Sequence, residues 1–293
     1  AKERIVDWLL VALMVLPFVL SMTLKVLLKP AGEGISITGA QVYFTIPMPV
    51  MDLPITESQV NSLMVVLSIL GLCLYLTHGI SVAPHSKRQI VAEWIVEKVQ
   101  NMVNSNMGAY FSAFAPFIAG IMFISAFSSL SSLLGLFPPT SDMNIVAGWA
   151  ILVFVLITYY KLKGGLLPYV KGFFEPVFIF APFNIIGEVA TPVSMSFRHY
   201  GNVLSGMVIS TLVAYALQTL SHMLLGWLPG VLGQFPFLQV GLPAILSLYF
   251  DIFSGLMQAF IFALLTTIYI STGFPQEEYE RRKAKRKKAL HTA

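Results

Sequence analysis

Residues 5–28 form a predominantly apolar run that is long enough to cross a lipid bilayer, and similar runs recur along the chain. A membrane-spanning helix needs about 20 such residues. Only 11% of the 293 residues are charged and 56% are hydrophobic, whereas about 25% of the residues of a soluble domain are charged. The sequence therefore predicts an all-α polytopic membrane protein.

Hydropathy, proline and glycine positions and charge divide one membrane domain, 1–293, into successive segments. About six membrane helices and one interfacial amphipathic helix are predicted: spans at 5–28, 57–82, 109–136 and 143–161, the interfacial helix at 88–107, two long segments at 175–219 and 241–272, and a basic tail at 275–293. The two long segments exceed the length of a perpendicular span, so they must tilt or bend. A cleaved signal peptide is the alternative for 5–28.

The distribution of Lys and Arg predicts the orientation of the chain. Basic residues cluster at 2–4, 87–98, 161–171 and 281–288, and the opposite loops hold almost none beyond Lys25 and Lys29. Basic loops stay in the cytoplasm, so both termini are predicted to be cytoplasmic. The tail 281–288 carries seven basic residues and the rest of the chain is net acidic. Such a tail favours contact with anionic lipid over nucleic-acid binding.

Arg198 lies inside the apolar segment 175–219. A charge at bilayer depth costs from about 3 to more than 10 kcal/mol, so it is normally paired, hydrated or functional. Helical spacing predicts two facing polar stripes, with Thr191, Arg198, Asn202 and Ser205 on one segment and Ser247, Asp251, Ser254 and Gln258 on the other. Hydrogen bonding between neighbouring membrane helices explains the serines more readily than it explains Arg198 and Asp251.

Two carboxyl groups are predicted to flank the arginine. Glu188 precedes Arg198 by ten residues, about 15 Å along a helix toward the cytoplasm, so it needs a partner other than Arg198. Asp251 lies on the outer side if Gln258 sits opposite Arg198. One acid on each side is the arrangement expected for two separate proton-access paths with a positive barrier between them.

The motif SMSFRHYGNVLSG resembles the S-x-S-x-R-x-x-G-N signature of subunit a of F-type ATP synthases. LMQAFIFALLTTIYIS is similar to the last helix of that family. ITESQVNS, RQIVAEWIVEKVQNMV and GLFPPTSDMN match it in order and spacing. The resemblance covers about residues 55–273.

The resemblance implies a stator subunit with two offset half-channels that carries protons to and from a rotating ring of c subunits, against which the two long helices form a hairpin. A subunit of this kind would carry out no ATP chemistry and would hold no cofactor or metal. Its partners would be the c-ring, the b-subunit peripheral stalk, the remaining ATP synthase subunits and the bilayer, most simply the inner membrane of a bacterial cell. The implied site residues are Arg198, Asn202, Gln258, Asp251 and Glu188 for ion translocation, Asp142, Asn144, Ser205 and Ser254 along the access paths, and Gly201, Gly206 and Gly255 facing the ring.

The sequence departs from the family at several positions. Many relatives carry a glutamate where this chain has Met207, and Asp251 stands where relatives have a histidine. An acid exchanged between neighbouring helices would conserve the outer path. His199 stands where an aliphatic residue is usual, which favours an imidazole at a helix boundary. The span 5–28 has no counterpart in some relatives.

Several alternatives stay open from the sequence. The same subunit could carry sodium, since the selective site would lie on the ring. A self-contained secondary transporter would use Arg198, Glu188 and Asp251 to bind a solute. An intramembrane enzyme is disfavoured because Asp251 has no intramembrane aspartate partner and the histidines 78, 85 and 222 lie near span ends. Cys73, in an apolar run, is interpreted as a small hydrophobic residue.

Overall fold

The computed structural model describes residues 2–28, 39–49, 51–82, 86–175, 177–227, 235–239, 241–277 and 279–281. The α-helices are α1 Lys2–Leu28, α2 Glu57–Thr77, α3 Lys87–Met107, α4 Ala115–Leu130, α5 Met143–Lys163, α6 Leu166–Gly172, α7 Ala181–Leu225, α8 Leu242–Ser247 and α9 Gly255–Gly273. Short 3₁₀ turns at Ala109–Phe114 and Ser131–Leu134 extend α4, and further turns cover Pro139–Ser141, Phe178–Phe180 and Phe237–Gln239. Lys29, His85 and most of the basic tail predicted at 275–293 lie outside the described residues.

Six of the described helical segments are long and apolar enough to cross a membrane. They run from Arg4 to Leu28, Glu57 to Thr77, Tyr110 to Leu134, Met143 to Lys163, Phe178 to Leu225 and Phe237 to Gly273. The prediction of an all-α membrane protein with about six membrane helices is therefore confirmed. The segment predicted at 57–82 is helical only to Thr77, and the long segment predicted to end at 219 continues as helix to Leu225.

The loop before α2 contains a small antiparallel hairpin of β1, Val42–Ile46, and β2, Leu53–Thr56. Thr56 ends β2 and is also the N-cap of α2, with its backbone N–H donating to Oε1 of Gln59 at 3.3 Å. Because β2 runs directly into α2, the hairpin is fixed to the end of the bundle at which α2 begins.

Helix α1 packs tightly on α2 because Gly71 has no side chain. A Cβ at Gly71 would lie 2.8 Å from the backbone nitrogen of Met14, too close for any larger residue. Polar contacts join the C-terminal part of α1 to the N-terminal part of α2: Ser21 donates to the Asn61 side chain, and Lys25 Nζ lies 3.2 Å from a carboxylate oxygen of Glu57. The N-terminal span is thus an integral part of the bundle.

The apolar core is shared by α3, α4, α5 and α9, and α7 contributes Met195 to it. Buried members include Val103, Ile118, Val153, Phe262 and Ile270. Helix α3 buries only part of the apolar stripe that the sequence predicts, because its C-terminal half enters this core and its N-terminal half does not. Ile90 and Trp94 stay exposed, 54% and 57%, as expected for a helix that lies in a membrane interface.

The two long C-terminal segments differ in their internal structure. Helix α7 is continuous for 45 residues although it contains Pro192, so it is about 67 Å long, more than twice the thickness of a hydrocarbon core. It must therefore be strongly inclined to the membrane normal. The other segment contains a seven-residue π-helix, Leu248–Ser254, between α8 and α9. The sequence pattern, interpreted with a uniform α-helical period, does not predict this wider turn.

Candidate functional site

Arg198 lies on the exposed face of α7, at the edge of the helix bundle. Its neighbours Ser196 and His199 are buried, at 3% and 0% exposure. The three ion pairs found among the described residues do not include Arg198. An arginine at bilayer depth cannot lose its proton and is costly to leave facing lipid. The geometry therefore indicates a site that another molecule completes.

Asn202 connects the arginine-bearing face of α7 to the end of the π-helix. Its Nδ2 donates to Ser254 Oγ at 2.7 Å, and the Ser254 hydroxyl is 3.0 Å from Asn202 Oδ1. Ser205, one turn on from Asn202 and exposed, donates to the Asn202 carbonyl oxygen at 3.1 Å. The structure thus joins the two predicted polar stripes at Asn202 and Ser254.

The π-helix alters the predicted stripe on the second long segment. Asp251 lies within it and is half-buried, as are Ser247 and Ser254, whereas Gln258 lies beyond it in α9 and is only 6% exposed. A π turn holds more residues than the 3.6 of an α-helix, so side chains on either side of it no longer share one face at regular spacing. Gln258 is therefore more deeply buried than Ser247, Asp251 and Ser254, the other members of the predicted stripe.

The three glycines that the resemblance places against a ring differ in their packing inside the chain, and their contact with a ring stays a prediction. A Cβ at Gly206 would lie 3.0 Å from the Phe250 side chain, and a Cβ at Gly255 would lie 2.6 Å from Ser129 Cβ. Both glycines are buried inside the chain and allow its own helices to approach closely. Gly201 is half-buried and has nothing within 4 Å of the position of a Cβ, so its role stays a prediction.

His199 fills the interior beside Arg198. Its Nε2 is 3.3 Å from Ser125 Oγ, and its ring makes edge contacts with Trp149 and Phe262 at centroid distances of 6.1 and 5.6 Å. The interpretation of His199 as an imidazole at a helix boundary is confirmed, with the boundary inside the bundle. Its Nδ1 is buried without a hydrogen-bond partner among the described residues.

Glu188 has the partner other than Arg198 that its position requires. Lys161, in the last turn of α5, donates from Nζ to both carboxylate oxygens of Glu188, at 2.8 and 2.7 Å. Tyr169 of α6 lies beside the same carboxylate, and burial together with this negative charge raises the pKa of its phenol. Hydropathy alone treats Lys161 as the residue that ends a span, so a sequence-based search misses its pairing with Glu188.

Asp142 and Asn144, predicted along an access path, lie at the start of α5. Asp142 is the N-cap of this helix, accepting from the Asn144 backbone N–H at 3.0 Å, and it also accepts from the Ser58 hydroxyl. These bonds account for Asp142 as a structural residue that ties α5 to α2. Among the described residues, no cluster of three or more His, Cys, Asp or Glu side chains could hold a metal ion.

A second polar cluster, at the end of the bundle where α2 begins, was not predicted. Glu57 is 3% exposed and pairs with Lys25, whose Nζ also donates to the Gly135 carbonyl oxygen at 2.6 Å. Tyr43 lies nearby, and burial together with the charge of Glu57 raises its pKa to about 12. The sequence signal was present in Lys25, an isolated cation at the outer end of a span.

Comparison with known proteins assigns most of the chain to one family. A sequence profile described as ATP synthase A chain matches residues 60–271. ATP synthase subunit a of Bacillus pumilus is 31% identical over 236 residues, covering 75% of this chain and 93% of the relative. The Bacillus subtilis protein of that name is 31% identical over 234 residues, with the same coverage. ATP synthase subunit a, sodium ion specific, of Propionigenium modestum is 26% identical over 275 residues, covering 83% of this chain and 88% of the relative.

Proposed function

The chain belongs to the ATP synthase A chain family, and from this premise we propose that it is the proton-translocating stator subunit a of an F-type ATP synthase. The observation that carries the proposal is Arg198, exposed on α7 without an acidic partner among the described residues, next to the bonded pair Asn202 and Ser254. The missing partner would be a carboxylate on a rotating ring of c subunits. The chain itself would perform no ATP chemistry.

The mechanism follows from the charge of Arg198. A ring carboxyl group that faces lipid stays neutral, because an isolated carboxylate in apolar surroundings costs far more than protonation. Beside the guanidinium it can ionise, and the guanidinium itself cannot carry a proton. The ring therefore turns only if each carboxyl group releases a proton into one path, passes Arg198 and takes a proton from the other. The membrane potential contributes about 2.3 kcal/mol per charge for each 100 mV.

The inner path would begin at a cavity of about 1130 Å³ lined by Lys161, Glu188 and α6. From Glu188, α7 leads past Thr191 toward Arg198. The outer path would include Asp251, the half-buried acid of the π-helix. Gln258, which is buried in α9, would lie between these levels. The two paths would thus be offset, with Arg198 between them.

A sodium-translocating form of the same subunit is the second candidate, because one relative is named sodium ion specific. The two forms differ in a direct assay. ATP-driven proton pumping by the intact complex in sodium-free medium supports the proton form, and pumping that requires Na⁺ supports the sodium form.

Partners and location follow from the family. As a subunit a, the chain would contact the c-ring, the b subunits of the peripheral stalk and the remaining ATP synthase subunits. Its membrane would be the inner membrane of a bacterial cell, with both termini in the cytoplasm. The asymmetry of Lys and Arg supports this orientation.

Substitution of Arg198 tests the proposal. Arg198→Ala and Arg198→Lys should abolish ion-driven ATP synthesis in membrane vesicles while the complex still assembles, and the alanine variant should also let ions leak. Lysine keeps a charge but loses the planar fork and can deprotonate when desolvated. Lys98→Ala, at an exposed position on α3, is the control and should keep synthesis coupled. Full coupled synthesis by either Arg198 variant would refute the assignment.

A further inference from the structure

Two cavities meet at the inner ends of α5, α7 and α9. The larger, about 1130 Å³, is bounded by α6 and by the segment that leads into α7. The smaller, about 150 Å³, lies deeper, between Phe154 of α5, Thr191 of α7 and Tyr269 of α9. Lys161 and Glu188 line both cavities. The ion pair therefore stands where the larger cavity connects with the smaller one on the way to Arg198.

The ion pair of Lys161 and Glu188 is largely shielded from solvent, and its two nitrogen–oxygen distances are nearly equal. The Lys161 ammonium contacts both oxygens of the Glu188 carboxylate within 0.1 Å of the same distance, at 2.8 and 2.7 Å. The side chains of Lys161 and Glu188 are 29% and 15% exposed. A cation that approaches this carboxylate from the larger cavity finds its position already occupied by the ammonium group.

The surroundings of the carboxylate contain oxygen ligands that a small cation could use. The hydroxyl groups of Thr191 and Thr272 and the phenol of Tyr269 belong to residues that line the smaller cavity. Pro192 has no N–H, so the Glu188 backbone carbonyl lacks its usual helical donor four residues on. Carboxylate, hydroxyl and carbonyl oxygens are the ligands of hard cations. Without the ammonium group, this region would attract Na⁺.

The remaining charged and titratable groups lie on the side of the larger cavity. Lys171 and Tyr169 of α6 and Glu175 line it, and Tyr169 stays a neutral phenol because burial and the Glu188 charge raise its pKa. Lys171 makes no ion pair with any described residue. It therefore offers a matched cation in the same cavity that does not occupy the carboxylate.

We propose that the Lys161 ammonium is a tethered cation that occupies the Na⁺ position at Glu188, so that the inner access path admits protons and excludes Na⁺. The inference rests on the proposed function and adds a specificity-determining residue to it. The ring would still select the ion that it binds, but the path would decide which ions reach the ring from inside.

A proton and Na⁺ would pass the ion pair of Lys161 and Glu188 in different ways. A hydronium ion in the larger cavity gives its proton to a carboxylate oxygen, which forms a covalent O–H bond and breaks the contact with the ammonium. Lys161 is then free to move into the larger cavity, the proton leaves to water in the smaller one, and the ion pair re-forms. Na⁺ cannot neutralise the carboxylate by forming a covalent bond, so it would have to pass Glu188 beside the like charge of the ammonium group, which is unfavourable at these distances.

The first experiment measures ATP-driven proton pumping by the whole complex in inside-out vesicles, with NaCl or choline chloride at equal ionic strength outside. Na⁺ should leave the wild type, Lys171→Ala and Lys161→Arg unaffected, because Lys161→Arg keeps a fixed cation. Lys161→Ala should become sensitive, with Na⁺ slowing pumping by about fivefold, the factor that corresponds to the upper range for a partly exposed ion pair. Na⁺ sensitivity of the wild type, or insensitivity of Lys161→Ala, would overturn the proposal.

A second measurement keeps Lys161 in place, in case Lys161→Ala does not assemble. Thr191→Cys in a Cys73→Ser background places a thiol in the smaller cavity of the intact complex. A cationic methanethiosulfonate added from the inner side should react about tenfold more slowly than a neutral one of the same size. Equal rates would overturn the exclusion of cations. The proposed function fails separately, through coupled synthesis by the Arg198 variants.

Discussion

Gly255→Ala should push α9 away from α4. The new methyl group would lie 2.6 Å from Ser129 Cβ and 3.2 Å from its Oγ, whereas carbon atoms in contact are about 3.5–4.0 Å apart. Because the nearest atom is a Cβ, which cannot swing aside, the two helices must separate by about 1 Å. Overpacking of this kind costs about 1–3 kcal/mol. Ser254, the preceding residue, would be drawn away from Asn202, so turnover should fall as well.

Thermal unfolding of the purified chain in detergent measures the cost. Gly148→Ala is the matched control, since nothing lies within 4 Å of a Cβ there, and alanine is favoured over glycine in a helix by about 0.5–1 kcal/mol. The melting temperature of Gly255→Ala should lie below that of Gly148→Ala by about 2–4 °C for each kcal/mol by which their free energies of unfolding differ. Ser129→Gly in the same chain should restore the melting temperature by removing the opposing Cβ. Equal melting of the two alanine variants would refute the packing argument.

Two further predictions concern sidedness. Asp251→Asn and Glu188→Gln should each slow turnover and shift its pH dependence while coupling stays tight. A thiol reagent should inhibit Asp251→Cys faster when it is added from outside, and Glu188→Cys faster when it is added from inside. Equal rates from both sides would contradict the two half-channels. Asn144→Cys, exposed at the start of α5, should be labelled by an impermeant reagent only from outside, and Lys163→Cys only from inside, and the opposite pattern would reverse the predicted orientation.

The sequence predicts the membrane fold and Arg198 because both depend on composition along a single segment. Contacts between segments are less accessible to such an argument. Helical spacing put Asn202 and Ser254 on facing stripes, and they do bond, but the same spacing cannot show that Gly255 packs on Ser129 inside the chain. The π-helix at Leu248–Ser254 was missed because nothing in its composition distinguishes it from α-helix.

The ion pair of Glu188 shows where the limit lies. Its distance from Arg198 along α7 correctly required another partner, since that step uses only the helical rise. Lys161 could not be identified from sequence, because it precedes Glu188 by 27 positions and the whole of α6 lies between them. Its position as the last basic residue but one of a span also has an ordinary explanation in topology. Only the packing of α5 on α7 shows that Lys161 forms an ion pair with the Glu188 carboxylate.

The exposed position of Arg198 follows from the burial of its neighbour. On an α-helix, successive side chains point about 100° apart. His199 is fully buried among Ser125, Trp149 and Phe262, which belong to α4, α5 and α9. With His199 fixed in this way, α7 cannot rotate, and Arg198 must stand at the open edge of the bundle. The guanidinium is therefore held in place without an acidic partner among the described residues, which in the proposed mechanism would leave it available to a carboxylate on the ring.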